Sequence, residues 1–187
     1  MLATPLLCMS VFAGDEPYQR GMWASAPINA TQIVIGKFLG VLIFQYLLLC
    51  VSAVMVCRLL PLTSLDKGHL FVAFVGLAGF VAMATALSIF YSSLTHSPAL
   101  AAFLGFSTLL LLWLAATGAA GSFTAALSPS SHLNSSMQGI FDSRDALYFL
   151  CTSGILLNLT IVRVNMKTRL PVYTCLLYTS PSPRDRG

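Results

Sequence analysis

FLGVLIFQYLLLCVSAVMVC, Phe38 to Cys57, is twenty residues without a charge, closed by Lys37 on one side and Arg58 on the other. At about 1.5 Å of rise per residue, a helix of this length spans roughly the 30 Å hydrocarbon core of a bilayer. Three further stretches repeat the pattern. Leu70 to Leu94 carries no charge, a third stretch runs from Pro98 to about Gly118, and Ala146 to Val162 lies between Asp145 and Arg163. The last is at the short end of the spanning range, so its ends are expected to snorkel to the interface. Only 9% of the residues are charged and 57% are hydrophobic, against roughly 25% charged in an ordinary globular domain. The expectation is an all-α integral membrane protein, a polytopic helical bundle with complete spans at about 36–60, 70–94, 98–118 and 146–163.

Lys and Arg placement suggests the orientation. A cytoplasmic C-terminus puts Arg20, Lys37, Arg163, Lys167 and Arg169 inside and leaves Arg58, Lys67 and Arg144 outside. Pro61 and Pro98 mark two loop boundaries, since proline cannot donate a backbone hydrogen bond within a helix. A tight inner turn is expected near Thr95 to Pro98, and an outer segment from Ala119 to Asp145.

The two ends differ from the middle. Met1 to Phe12 is apolar but too short to span, and is expected to be the tail of a helix whose start lies upstream, which would make the chain a fragment. Residues 175–187 begin with CLLYTSPSPRDR, which resembles the translated transposon-end adapter of sequencing libraries. The membrane domain is therefore expected to occupy 1–174.

Polar groups within the apolar runs have structural interpretations. Lys37 lies one turn inside a span, where a long stem can reach the interface, so it suits a topology anchor better than a substrate site. Gln45, Tyr46, Asn158 and Thr160 are expected to hydrogen-bond between helices, and the pairs Gly36/Gly40 and Gly76/Gly79 to offer small faces for close approach. Pro129, Ser130 and Ser131 are expected to break the chain before an interfacial helix over Met137 to Phe149 feeds the final span. Asp142 and Asp145 would pair with Arg144 or cap that span, where negative charge at a helix N-terminus is favourable.

No catalytic, cofactor or metal set is evident. His69, His96 and His132 fall in different connections, the five cysteines form no CxxC pair, and no GxxxxGK[ST] nucleotide loop occurs. Catalysis by this chain is not expected, nor is a nucleic-acid partner.

Two strings carry a family resemblance. SAPINATQIVIGKFLGVLIF, Ser25 to Phe44, resembles the start of a core helix in type-2 ABC exporter permeases, most of all the gliding-motility and nitrous-oxide-reductase-maturation subfamily. MQGIFDSRDALYFL, Met137 to Leu150, is similar to the same subfamily before its last span, with the pattern Gly-x-x-Asp-x-x-Asp-x-x-Tyr-Phe-Leu. The motif positions are Pro27, Gln32, Gly36, Lys37 and Phe38 in the first string, and Gly139, Asp142, Asp145, Tyr148 and Phe149 in the second. The resemblance covers essentially Met1 to Arg169 and implies six spans, four of them complete here. It also implies that Asp15, Glu16, Arg20, Gly21 and Trp23 belong to a cytoplasmic segment that couples to an ATPase. Here the chain departs from the pattern: only Met22 to Ala26 separate Gly21 from Pro27, shortening that helix by about one turn.

The function so implied is a permease subunit in a bacterial cytoplasmic (inner) membrane, multi-pass, with its C-terminus cytoplasmic. Its partners would be the bilayer, a separate ABC ATPase subunit, and a second permease copy or related chain. A non-transporting scaffold for a motility or metalloenzyme-maturation complex is the alternative. An intramembrane Ser/His hydrolase is poorly supported, because no span carries the two residues at helical spacing.

Overall fold

The computed structural model describes residues 3–8, 11, 29–59, 67–117, 128–139 and 142–178, with side chains in the last segment described through Met166. Every regular element among the described residues is an α-helix: α1 (Ala3–Cys8), α2 (Ala30–Leu59), α3 (Lys67–Leu94), α4 (Pro98–Thr117), α5 (Pro129–Met137) and α6 (Ser143–Tyr178). Three contain stretches long and apolar enough to cross a membrane: Ala30–Arg58, Lys67–Leu94 and Ser143–Met166. α4 is apolar over the shorter stretch Pro98–Leu114.

Local chemistry sets the helix ends. The Asn29 carbonyl accepts from the Gln32 and Ile33 amides, and the Gln32 side chain reaches back to accept from the Asn29 amide at 3.3 Å. This is the reciprocal half of a capping box. It starts α2 at Ala30, six residues before the start of the span expected from the apolar run. α3 ends at Leu94 and α4 opens on Pro98, matching the expected turn. Proline fits the first helical position because its missing N–H would have no intrahelical partner there.

The same rule corrects the reading of Pro129. Instead of breaking the chain, Pro129 opens α5, preceded by Ser128 in an extended conformation. The short helix thus occupies 129–137, whereas the sequence suggested 137–149. It ends at Met137, with Gln138 as its C-cap, followed by Gly139, whose φ of +77° is the left-handed conformation that favours glycine after a helix. A separate helix then begins at Ser143, and it runs far past Arg163, where the last span was expected to stop. A charge ends an apolar stretch at the interface but does not break a helix.

α3 is the hub. Phe80, Met83, Ala84 and Leu87 join Leu109 of α4, Leu133 of α5 and Phe149 of α6 in the main core. Ala30 and Val34 form a second cluster with Val164, placing the start of α2 beside α6 some 20 residues beyond its start. Chain alternation then puts Lys37, the turn at 95–97 and Arg163 at one end of the bundle, and Arg58, Lys67 and Arg144 at the other. α2 is largely uncovered within the chain: Leu39, Ile43, Leu47, Val51 and Met55 are all exposed, as befits a helix facing lipid or another protein.

The two glycine pairs behave differently. A β-carbon on Gly76 would collide with Ser136, and one on Gly79 would lie 3.0 Å from the Phe149 ring, so both admit close packing of α5 and α6. Nothing lies within 4 Å of a β-carbon built on Gly36 or Gly40. Among the described residues, that pair therefore serves no helix contact, unlike the expected close approach.

Gly76→Ala is expected to lower stability by about 1–3 kcal/mol through overpacking against Ser136. Gly40→Ala should change it by no more than about 1 kcal/mol, the scale of helix propensity. Reversible unfolding of both variants in mixed micelles compares them directly.

Candidate functional site

The second motif string forms the most developed polar site among the described residues. Asp142 precedes α6 and caps it: its carbonyl accepts from the Asp145 amide at 3.1 Å, and its Oδ1 accepts from the Arg144 amide at 3.0 Å. The cap expected for Asp142 is therefore present. It satisfies amides that have no carbonyl partner within the helix, and its negative charge suits the helix N-terminus.

Asp145 behaves differently. It is 6% exposed, and its Oδ1 lies 2.7 Å from His132 Nδ1 on α5. His132 and not Arg144 is its partner, because Asp145 faces inward from the first turn while the Arg144 side chain is exposed. The His132 ring also stacks on Tyr148, with centroids 4.2 Å apart and planes 21° from parallel. Asp145, Tyr148 and Phe149 occupy i, i+3 and i+4 and so share one face of α6. Through that face, Asp145 and Tyr148 engage α5 while Phe149 fills the space over Gly79 of α3. Gly139 belongs to the same assembly, closed against His69 in the first turn of α3.

A cavity of about 180 Å³ lies beneath this polar cluster, between α3 and α6. Asp142, Asp145 and Ser136 line one part of it, and Val75, Ala82 and Leu150 supply apolar wall. Asp145 Oδ2 is buried and has no hydrogen-bond partner among the described residues.

The first motif string lies elsewhere. Gln32 works in the cap of α2, Phe38 is half-buried, Gly36 stands open, and the Lys37 ammonium donates to the Val11 carbonyl. Val164, beside Val34, is about 30 Å along α6 from Asp145, so the two motif groups form no common site. Asp15, Glu16, Arg20, Gly21, Trp23 and Pro27 lie outside the described residues.

The expected interhelical polar contacts divide by helix. Thr85 Oγ1 lies 2.7 Å from Gln45 Oε1, and the Tyr46 hydroxyl donates to the Ala78 carbonyl at 3.2 Å, joining α2 to α3. Thr85 also lies 2.6 Å from the Val81 carbonyl, and its single proton serves one acceptor at a time. Asn158 and Thr160 donate instead to the Gly154 and Leu156 carbonyls of their own helix, which removes the predicted bridges there.

His132 is the site residue that the sequence did not bring forward. Its signal was its place on a nine-residue polar helix, PSSHLNSSM, whose Pro129, Leu133 and Ser136 are buried at i, i+4 and i+7. Among the described residues, no group of three or more His, Cys, Asp or Glu residues could hold a metal ion. Comparisons of the chain with protein-family models, curated proteins and solved structures gave no match.

His132→Leu leaves both carboxylate oxygens of buried Asp145 without a protein partner, and is expected to cost about 1–3 kcal/mol. The His132→Leu/Asp145→Leu double variant should recover most of that loss, because it removes the buried charge too. A double-mutant cycle by unfolding in micelles checks this, and an additive result would refute the coupling.

Proposed function

We propose that the chain is a membrane-spanning permease subunit of an ABC-type exporter, working with a separate ATPase subunit to move a substrate across the bacterial cytoplasmic membrane. The observation that carries the proposal is the paired sequence resemblance, Ser25–Phe44 and Met137–Leu150, found in family order. Helices long and apolar enough to cross a bilayer are consistent with it. So is the packing role of Asp145, Tyr148 and Phe149, since motif positions that join three helices suit a bundle that must move as a body.

In this proposal α4 is a fourth span, its 20 residues giving roughly 30 Å of helix. The end bearing Lys37 and Arg163 faces the cytoplasm, as positive residues prefer. ATP hydrolysis on the partner would push the segment around Asp15 to Ala26, and α2, which begins just beyond it, would carry the displacement into the bundle. The exposed apolar flank of α2 leaves room for a second permease chain as well as lipid.

Co-expression and co-purification of the full-length protein with ABC ATPase subunits of the same organism is the direct test. Stable association is expected, with faster ATP hydrolysis than the ATPase shows alone. No association and no stimulation would reject the proposal. Association without stimulation would favour the scaffold role.

A further inference from the structure

We propose that the outward side of α6 docks a second copy of this chain, with the two Asn158 side chains exchanging hydrogen bonds across a two-fold axis. Such docking requires that α6 cross a bilayer and depends on neither transport nor an ATPase. Its basis is a polar group on the outer side of a span. α6 contains the apolar stretch Ser143–Met166, and within it Asn158 is exposed. Asn158 lies about 22 Å of helix beyond Ser143 and about 7.5 Å before Arg163, which places it inside the hydrocarbon layer. An amide left in hydrocarbon without a partner is costly. A long arginine stem snorkels to the interface from such a depth, but the single methylene of asparagine is too short to do so.

The amide has more hydrogen-bonding capacity than its own chain uses. Nδ2 donates to the Gly154 carbonyl at 2.8 Å, and that is the one hydrogen bond of the Asn158 side chain among the described residues. One N–H and the Oδ1 acceptor are left over. A group with one donor and one acceptor to spare is its own complement, since two such amides face to face close a reciprocal pair. A lipid tail offers neither a donor nor an acceptor. A second copy, related by an axis along the membrane normal, brings the same residue to the same depth.

The surroundings suit a close approach. Leu147, Cys151, Gly154, Asn158 and Val162 follow one another at helical spacing along the outer side of α6, and of these only Gly154 is partly covered. Ser153, Thr160 and Val164 on the opposite side are buried. Nothing lies within 4 Å of a β-carbon built on Gly154, one turn from the amide, so a partner backbone can come near there. The stripe carries no charge. Arg163 projects about 140° round the helix from Asn158, so docking leaves the two arginines apart. The flank of α2 makes no comparable demand: between Gly36 and Met55 its exposed residues bring no strong hydrogen-bonding group except Ser52, whose hydroxyl donates to the Leu49 carbonyl.

Cys151, exposed on the same stripe, supplies the test. The full chain with Cys151 as its only cysteine, the other four replaced by alanine, is reconstituted in phosphatidylcholine liposomes and oxidised with copper phenanthroline. A disulfide-linked dimer is expected, because helices that meet at Gly154 bring the two Cys151 α-carbons within the roughly 7 Å that a disulfide allows. The matching protein with only Cys50, on the flank of α2, should stay monomeric.

Energy transfer between labelled copies, followed as lipid dilutes them, measures the association itself. Asn158→Leu should weaken it about tenfold, while Asn158→Gln, which keeps an amide, should stay within about threefold of the parent. Gly154→Leu, which bars close approach and leaves the amide in place, should weaken it as well. Circular dichroism and unfolding in micelles confirm that each variant keeps its bundle. Absence of self-association, cross-linking through Cys50 but not Cys151, or association only in the presence of a different chain would overturn the proposal. So would indifference to Asn158→Leu or Gly154→Leu, or a loss in Asn158→Gln as large as in Asn158→Leu.

Discussion

The close seating of α5 and α6 against two glycines of α3 is the constraint on which the rest of the bundle depends. Ser136 occupies the space over Gly76 and the Phe149 ring the space over Gly79, so the helices approach more closely than larger side chains would allow. In a bilayer this matters more than apolarity, because lipid tails solvate leucine as well as another helix does. Association must come from tight packing and hydrogen bonds. The contact at Gly79 carries Phe149 into the core with Phe80, Met83 and Leu109, and the same face of α6 brings Asp145 to His132.

Polar groups are distributed to suit the same environment. α3 is tied to α2 by Gln45 with Thr85 and by Tyr46 with the Ala78 carbonyl. It is tied to α4 by Tyr91, whose hydroxyl lies 2.8 Å from Thr108 Oγ1. Thr108 also donates to the Leu104 carbonyl, which leaves Tyr91 as donor in their shared bond. Each such bond contributes about 0.6–2 kcal/mol in a membrane, so several around one helix outweigh any single one. Asn158 and Thr160 donate within α6, to the Gly154 and Leu156 carbonyls.

The two motif strings have different structural work at opposite ends of the bundle. Around Gln32 and Lys37 the chain caps α2 and ties it to the carbonyl of Val11. From Gly139 to Phe149 it turns, caps α6 and locks that helix to α3 and α5.

The sequence by itself determined the helical class, the apolar lengths that suit a membrane, and the helix ends around the 95–97 turn. Apolar length is a one-dimensional property, and prolines such as Pro98 and acidic caps such as Asp142 act within a few residues of where they stand. It did not determine which side of each helix is buried. A span is apolar all round, so no amphipathic stripe distinguishes a neighbour from lipid, and the exposed Gly36/Gly40 pair looks in sequence much like the packed Gly76/Gly79 pair. Only the tertiary structure paired His132 with Asp145, because that contact joins two helices across a turn and depends on their rotation about their own axes. The same rotation buried Asp145, which neither the acidic spacing nor the apolar pattern could specify.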